Sequence, residues 1–200
     1  MYYYKIRNHN ACVNNYAGQL VFNAAAHNNK IPKKIWIYWE GEFPEFVHKC
    51  VNNIREKNSD FEVNLLNPEN VHQYSQVNLT EMGHATPQQR ADLLRFDLIY
   101  HHGGIWLDAS IIVYENLNWI QTLVDQTQTE IFAFYRKRNT IHLNSPVIEN
   151  WLLASTQHNI FFKQWFDELY LALKQTPKLY IQEFARTNRI QRISSKRSVI

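Results

Sequence analysis

Two short stretches hold the side chains best suited to chemistry: Arg90-Ala91-Asp92-Leu93-Leu94-Arg95, and Ile105-Trp106-Leu107-Asp108-Ala109-Ser110. On a helix, Asp92 and Arg95 stand three apart and share one face. Asp108 follows an apolar run that predicts a strand, so it falls at that strand's carboxyl end, where open α/β sheets bind ligands. An acid and a guanidinium from a helix, met by a second acid from a strand end, can surround a polyhydroxylated group that carries a diphosphate. The plain alternative for Asp92 and Arg95 is a surface ion pair worth about 0.2–0.5 kcal/mol. Asp108 resists that reading, because a carboxylate directly behind Ile-Trp-Leu risks burial, which is costly without a cation or hydrogen-bond donors.

The elements that position these residues can be read from pattern. Ile31-Pro32 leads into Lys34-Ile35-Trp36-Ile37-Tyr38-Trp39, β-rich and short, broken at Gly41 and Pro44. Pro44 opens an amphipathic helix over 44–57, with Phe46, Val47, Cys50, Val51 and Ile54 at helical spacing, and residues 61–66 alternate like a strand. Strand, helix and strand in this order predict a βαβ unit and a parallel sheet. Thr86-Pro87-Gln88-Gln89 carries the signature of a capped helix start, with Thr as cap and Gln three residues on. That helix should run to about His101, stop at Gly103-Gly104 and release the strand that ends at Asp108. His101 and His102 read as a polar pair closing the helix, and Trp36 and Trp106 as core. Residues 130–134 predict a further strand, and two helices are expected near 146–155 and 161–175, the first placing Glu149 and Asn150 in its opening turn. Asn67-Pro68-Glu69 looks like the start of a short helix.

Composition narrows the classes. The 200 residues include 11 Tyr, 11 Phe and 6 Trp and carry a formal charge of +3, too mixed for a disordered tail and too weak to argue for nucleic acid. Cys12 and Cys50 lack metal or disulfide spacing, no run approaches the ~20 apolar residues of a bilayer span, and the N-terminus has no secretory core. A cytoplasmic location is expected. We divide the chain into an N-terminal arm or helix (1–30), a catalytic-type domain (31–176) and a basic tail (177–200). The tail carries Arg186, Arg189, Arg192, Lys196 and Arg197, which read either as a solvated helix face or as a peripheral contact with the inner face of an anionic membrane.

Four blocks then become informative together: residues 31–41 (Ile-Pro-Lys-Lys-Ile-Trp-Ile-Tyr-Trp-Glu-Gly), 91–95 (Ala-Asp-Leu-Leu-Arg), 103–110 (Gly-Gly-Ile-Trp-Leu-Asp-Ala-Ser) and 149–155 (Glu-Asn-Trp-Leu-Leu-Ala-Ser). In this order they resemble the bacterial capsular polysaccharide synthesis glycosyltransferases, relatives of the α-mannosyltransferase and large clostridial toxin sugar transferases. The resemblance spans about residues 31–175. It implies a GT-A-like α/β fold with a mainly parallel sheet, and a nucleotide-sugar donor over the carboxyl edge of that sheet. By the same resemblance Trp39 lies near the nucleobase, Asp92 and Arg95 hold sugar hydroxyls, and Glu149 and Asn150 serve the donor or the acceptor side. Asp108 matches the first acid of an Asp-X-Asp motif, which contacts ribose and a divalent cation, Mn²⁺ or Mg²⁺.

Ser110 stands where the second acid of that motif is expected. Hard cations prefer charged oxygens, so a hydroxyl here lowers metal affinity, although magnesium-type sites often use few protein ligands. Such enzymes also continue for several elements past the equivalent of Phe184, so the resemblance implies a chain shortened there. The expected activity is transfer of a hexose, with retention, from a nucleotide diphosphate sugar, UDP by preference, to a capsular or other bacterial surface glycan, free or lipid-linked. Its rival is a non-catalytic nucleotide-sugar-binding or assembly protein with a degraded site. An unrelated Rossmann-type binder is disfavoured because no Gly-X-Gly-X-X-Gly follows the first strand.

Overall fold

A computed structural model describes residues 20–21, 30–82, 84–175 and 177–186. Most of the expected arm at 1–30, and the tail beyond Arg186 with four of its five cited basic residues, lie outside the described residues. The elements run β1 (Lys34–Tyr38), α1 (Glu45–Lys57), β2 (Glu62–Leu66), α2 (Pro87–His102), β3 (Gly104–Leu107), α3 (Asn118–Thr127), β4 (Ile131–Tyr135), β5 (Ile148–Ser155), α4 (Ile160–Gln175) and α5 (Pro177–Arg186), with short 3₁₀ turns at Val71–Gln73, Leu79–Met82 and Lys137–Asn139. No helix among the described residues is long and apolar enough to cross a membrane.

The five strands are ordered β2-β1-β3-β5-β4. β1 pairs in parallel with β2, Lys34 opposite Glu62 through Tyr38 opposite Leu66, and with β3, Trp36 opposite Trp106. β5 runs antiparallel to both β3 and β4. The sheet is therefore mixed: the expected parallel part is β2-β1-β3, and β5 and β4 extend it in the antiparallel sense. Strand alternation splits the core in two. Trp36, Tyr38, Trp106 and Leu153 point to the face covered by α2 and α4, while Ile35, Ile37, Ile105 and Leu107 meet Val47, Val51 and Ile54 of α1 and Ile120 and Val124 of α3. Phe46 falls off this α1 stripe and is exposed.

The expected helix over 146–155 is a strand. Ser145-Pro146 followed by Glu149 imitates a helix start, but Leu152–Ser155 fill the open edge of β3, and pairing on both sides overrides the helical preference of Leu and Ala. Helix α3 was not expected from the sequence. It rests on only two fully buried positions, Ile120 and Val124, one turn apart. The Asn67-Pro68-Glu69 segment, expected to start a short helix, forms turns that lead into the short 3₁₀ helix at Val71–Gln73. The start of α2 is as expected: Gln89 N–H donates to Thr86 Oγ1 at 3.2 Å, and Thr86 N–H donates to Gln89 Oε1 at 2.9 Å. At its other end Gly103 and Gly104 adopt φ of +63° and +95°. A side chain on Gly104 would sit 2.6 Å from the Lys34 carbonyl oxygen, so only glycine lets β3 leave the helix this close to β1. His102 caps the turn through the Tyr74 carbonyl at 2.7 Å, and His101 faces Asp97 at 3.1 Å.

Candidate functional site

Helix α1 covers one face of the sheet and α2 the other, so the chain reverses direction across β1 and the switch point falls at the carboxyl ends of β1 and β3, the edge where open α/β sheets bind ligands. Trp39 follows β1 and Asp108 follows β3 at that edge. Helix α2 lies between the sheet and α4, which buries an unbroken run from Leu93 to Ile99. Arg95 belongs to this run and its side chain is only 5% exposed, so it is no surface ion-pair member.

A single nitrogen of Arg95 bridges two acids, 3.0 Å from Asp92 Oδ1 and 3.3 Å from Asp108 Oδ1. The other terminal nitrogen donates to the main-chain oxygen of Asn150, and the guanidinium lies 4.9 Å from the centre of the Trp106 ring. Trp106 Nε1 in turn donates to Asp108 Oδ1 at 2.9 Å, so a core tryptophan also aims the acid. Asn150 Nδ2 donates to Asp92 Oδ1 at 3.0 Å. Burial pushes the Asp92 carboxyl above its ordinary value; the neighbouring Asp108 charge acts in the same sense, and Arg95 opposes both.

Asn150 reaches this cluster because of an irregularity in β5. Ala133 pairs with Leu153 and Tyr135 with Ile148, so two steps along β4 face five along β5. The three extra residues fall in the stretch that holds Glu149, Asn150 and Trp151, and such bulges re-aim side chains. Within it, Trp151 accepts the Asp108 N–H at 2.9 Å.

The structure thus brings together Asp92, Arg95, Asp108 and Asn150. The other candidates are placed elsewhere. Glu149 turns to Arg136 and accepts two hydrogen bonds from it, at 2.5 and 2.9 Å. Ser110 is exposed in the turn after Asp108. Trp39 packs with the α1-side core, edge-on to Phe43 at 6.2 Å, and its indole N–H donates to the Glu42 carbonyl at 2.6 Å. One cluster escaped the sequence reading: Glu40, Arg90 and Tyr38, bonded to one another beside Trp39. A cation in the first turn of α2 opposes the helix dipole and demands a partner, which was the available signal.

A divalent cation would find few protein ligands here. Among the described residues no group of three or more His, Cys, Asp or Glu is gathered for one. Asp108 Oδ1 is already shared by Trp106 and Arg95, which leaves Oδ2 as the carboxylate oxygen open to a ligand. That donor set fits a magnesium-type ion completed by ligand phosphates and water, and does not fit an all-protein cage.

The five-stranded mixed sheet flanked by helices is a GT-A-like α/β fold. The chain belongs to the capsular polysaccharide synthesis protein family, whose model matches residues 12–182. It is similar to the O-glycosyltransferase braB of Annulohypoxylon truncatum, 25% identical over 155 residues that make 68% of this chain and 36% of that protein. It is also similar to the "Probable glycosyltransferase FCK3" of Fusarium pseudograminearum, 24% identical over 160 residues, 70% of this chain and 39% of that one. The chain therefore spans well under half the length of these curated relatives. Among solved structures, the PaToxG glycosyltransferase shares the fold with a TM-score of 0.50 over 75% of this chain and 63% of that chain, at 15% identity.

Proposed function

We propose that this chain binds a nucleotide diphosphate sugar, UDP-linked by preference, and transfers its hexose with retention to a bacterial surface or capsular glycan. The observation that carries the reading is the Arg95 nitrogen held between Asp92 and Asp108 at the carboxyl edge of the sheet. The family and the similarity to named glycosyltransferases support the reaction class.

The chemistry requires three things of the site. Sugar hydroxyls need fixed acceptors: Asp92 Oδ1 is taken by Asn150 and Arg95, which orients Oδ2 for a hydroxyl. Burial that raises the Asp92 pKa also makes it a stronger acceptor. Breaking the anomeric C–O bond puts negative charge on the departing nucleoside diphosphate, and that charge must meet cations already in place. Arg95, clamped by Asn150 and stacked on Trp106, has both terminal nitrogens engaged within the cluster, so its part is to hold Asp92 and Asp108 in place and offset their mutual repulsion. A Mg²⁺ or Mn²⁺ ion on Asp108 and the donor phosphates would supply Lewis-acid stabilisation of the diphosphate's charge. Trp39 offers its ring to the base, and Ser110 only a solvent-facing hydroxyl. Glu149 is held by Arg136, and Asn150 is the member of this pair that reaches the cluster.

The exposed Ser110 in place of a second acid favours one competing reading, a protein that binds the donor without turning it over. Two measurements separate them. In a thermal-shift panel of nucleotide sugars with and without Mn²⁺, a donor at 100 times its Kd adds about 2.7 kcal/mol, a rise of roughly 5–10 °C for a chain of this size. Donor hydrolysis should then release free UDP from the parent protein and not from Asp108→Asn, whose amide oxygen can still accept from Trp106. Binding without release favours the competing reading. No shift with any donor removes both.

A further inference from the structure

A second charged cluster stands at the same sheet edge. Glu40 Oε2 accepts from Tyr38 Oη at 3.0 Å and from Arg90 Nε at 3.0 Å, while Glu40 Oε1 accepts from Arg90 Nη2 at 2.5 Å. Arg90 Nη1 donates to the Ala85 carbonyl, so every nitrogen of this guanidinium is engaged. The side chains are only 15% and 22% exposed, and fork-to-fork geometry of this kind fixes direction as well as distance. Arg90 holds the Glu40 carboxyl below its ordinary value, and burial together with the Glu40 charge raises the Tyr38 hydroxyl, so the trio stays in one charge state through neutral pH.

The pair joins two segments that otherwise have separate supports. Glu40 is one residue beyond Trp39, in a stretch without regular structure that turns at Gly41, φ +93°. That stretch is tied to its own side of the sheet by Trp39 N–H to Leu66 and by the indole N–H to Glu42. Arg90 is two residues before Asp92, on the helix that also carries Arg95. With the indole nitrogen consumed locally, Trp39 has only its ring surface to offer a ligand.

We propose that the Glu40–Arg90 ion pair is a positioning device that fixes the Trp39 segment against helix α2, so that the nucleoside half and the sugar half of one donor molecule are gripped in a set register. The proposal rests on the donor-binding reading above. A ligand that touches both elements gains from their fixed relation, as linked sites gain from a rigid tether, whereas a ligand that touches one does not. Glu40 and Arg90 are positioning residues, and neither contacts the sugar-binding acids.

The test uses the full chain, its Glu40→Gln and Arg90→Lys variants and the double variant, with UDP-glucose binding read by calorimetry and uridine binding by ligand-observed NMR. Both substitutions keep size close to the original, and Arg90→Lys keeps the charge, so at least one folded variant is expected; melting curves identify it. The expected result is a five- to thirty-fold weaker Kd for UDP-glucose in each single variant, little further loss in the double variant, and uridine binding changed by less than twofold. Equal weakening of uridine and UDP-glucose would make the pair a local support for Trp39 and overturn the proposal, as would unchanged UDP-glucose binding in a folded variant. If UDP-glucose does not bind the parent chain, the donor and matching nucleoside that do bind in the thermal-shift panel take the place of UDP-glucose and uridine; a parent chain that binds no donor of the panel fails the donor-binding reading first and the positioning role with it.

Discussion

Arg95→Met is the perturbation that bears most directly on the site. It keeps the length and apolar stem of the side chain but removes the cation between Asp92 and Asp108. Removing one partner of a fully buried ion pair costs about 3–5 kcal/mol, because the remaining charge stays desolvated. The two acids here are 32% and 37% exposed, so water screens part of that penalty, and a loss of about 2–3 kcal/mol is expected. For a chain of this size that lowers the thermal midpoint by roughly 4–12 °C at neutral pH. The pH dependence carries the sharper signature. Burial already raises the Asp92 pKa against the opposing pull of Arg95, so removing Arg95 raises it further. A carboxyl whose folded pKa lies above its unfolded value destabilises the fold when ionised and stops doing so as pH falls through the folded value. The deficit of Arg95→Met relative to the parent chain should therefore shrink as pH drops from neutral towards the unfolded carboxyl value near ~4, and Asp92→Asn in the same background should restore much of the midpoint at pH 7. Urea midpoints at several pH values measure both. A variant as stable as the parent at pH 7, or with a deficit that does not change with pH, would refute the reasoning.

Two further predictions concern the scaffold. Gly104→Ala places a methyl group 2.6 Å from the Lys34 carbonyl oxygen at φ +95°, which costs about 1–3 kcal/mol and lowers the urea midpoint, whereas Gly41→Ala, with nothing within 4 Å of the added carbon, bears only the backbone cost at its own positive φ and should lose less. Asn58 is fully buried, accepts the Leu117 N–H at 2.7 Å and donates to the Ile54 carbonyl at 2.8 Å. Asn58→Ala should cost about 1–3 kcal/mol and speed hydrogen exchange at Leu117, which ends the loop leading away from Asp108.

How much of this was legible in the sequence depends on how local the signal is. The start of α2 is set by Thr86, Pro87 and Gln89 within one turn, and its stop by two glycines that nothing else can replace, so the helix bearing Asp92 and Arg95 could be bounded in advance. β1 and β3 announce themselves through short β-branched and aromatic runs. β5 could not be read this way. Leu152, Leu153 and Ala154 are as good in a helix as in a strand, and only the partners on β3 and β4 decide between them. The same holds for side-chain partners: the spacing of Asp92 and Arg95 was local, whereas the separation of 50 residues between Glu40 and Arg90 leaves no pattern in one sequence.

The strand assignment of 148–155 is also what completes the site. Because β5 runs antiparallel to β3, its first residues lie beside the last residues of β3: Leu152 is opposite Leu107, and Trp151 accepts the N–H of Asp108. A parallel strand in that place would carry Glu149, Asn150 and Trp151 to the amino edge, away from Asp108. The three-residue excess of β5 over β4 then frees Asn150 from simple alternation, so its amide reaches Asp92 while its carbonyl receives Arg95. One antiparallel strand thus supplies, from a single residue, the donor that orients the acid and the acceptor that orients the guanidinium. A helix over the same residues would satisfy the Asn150 carbonyl internally and leave the buried Arg95 without that partner.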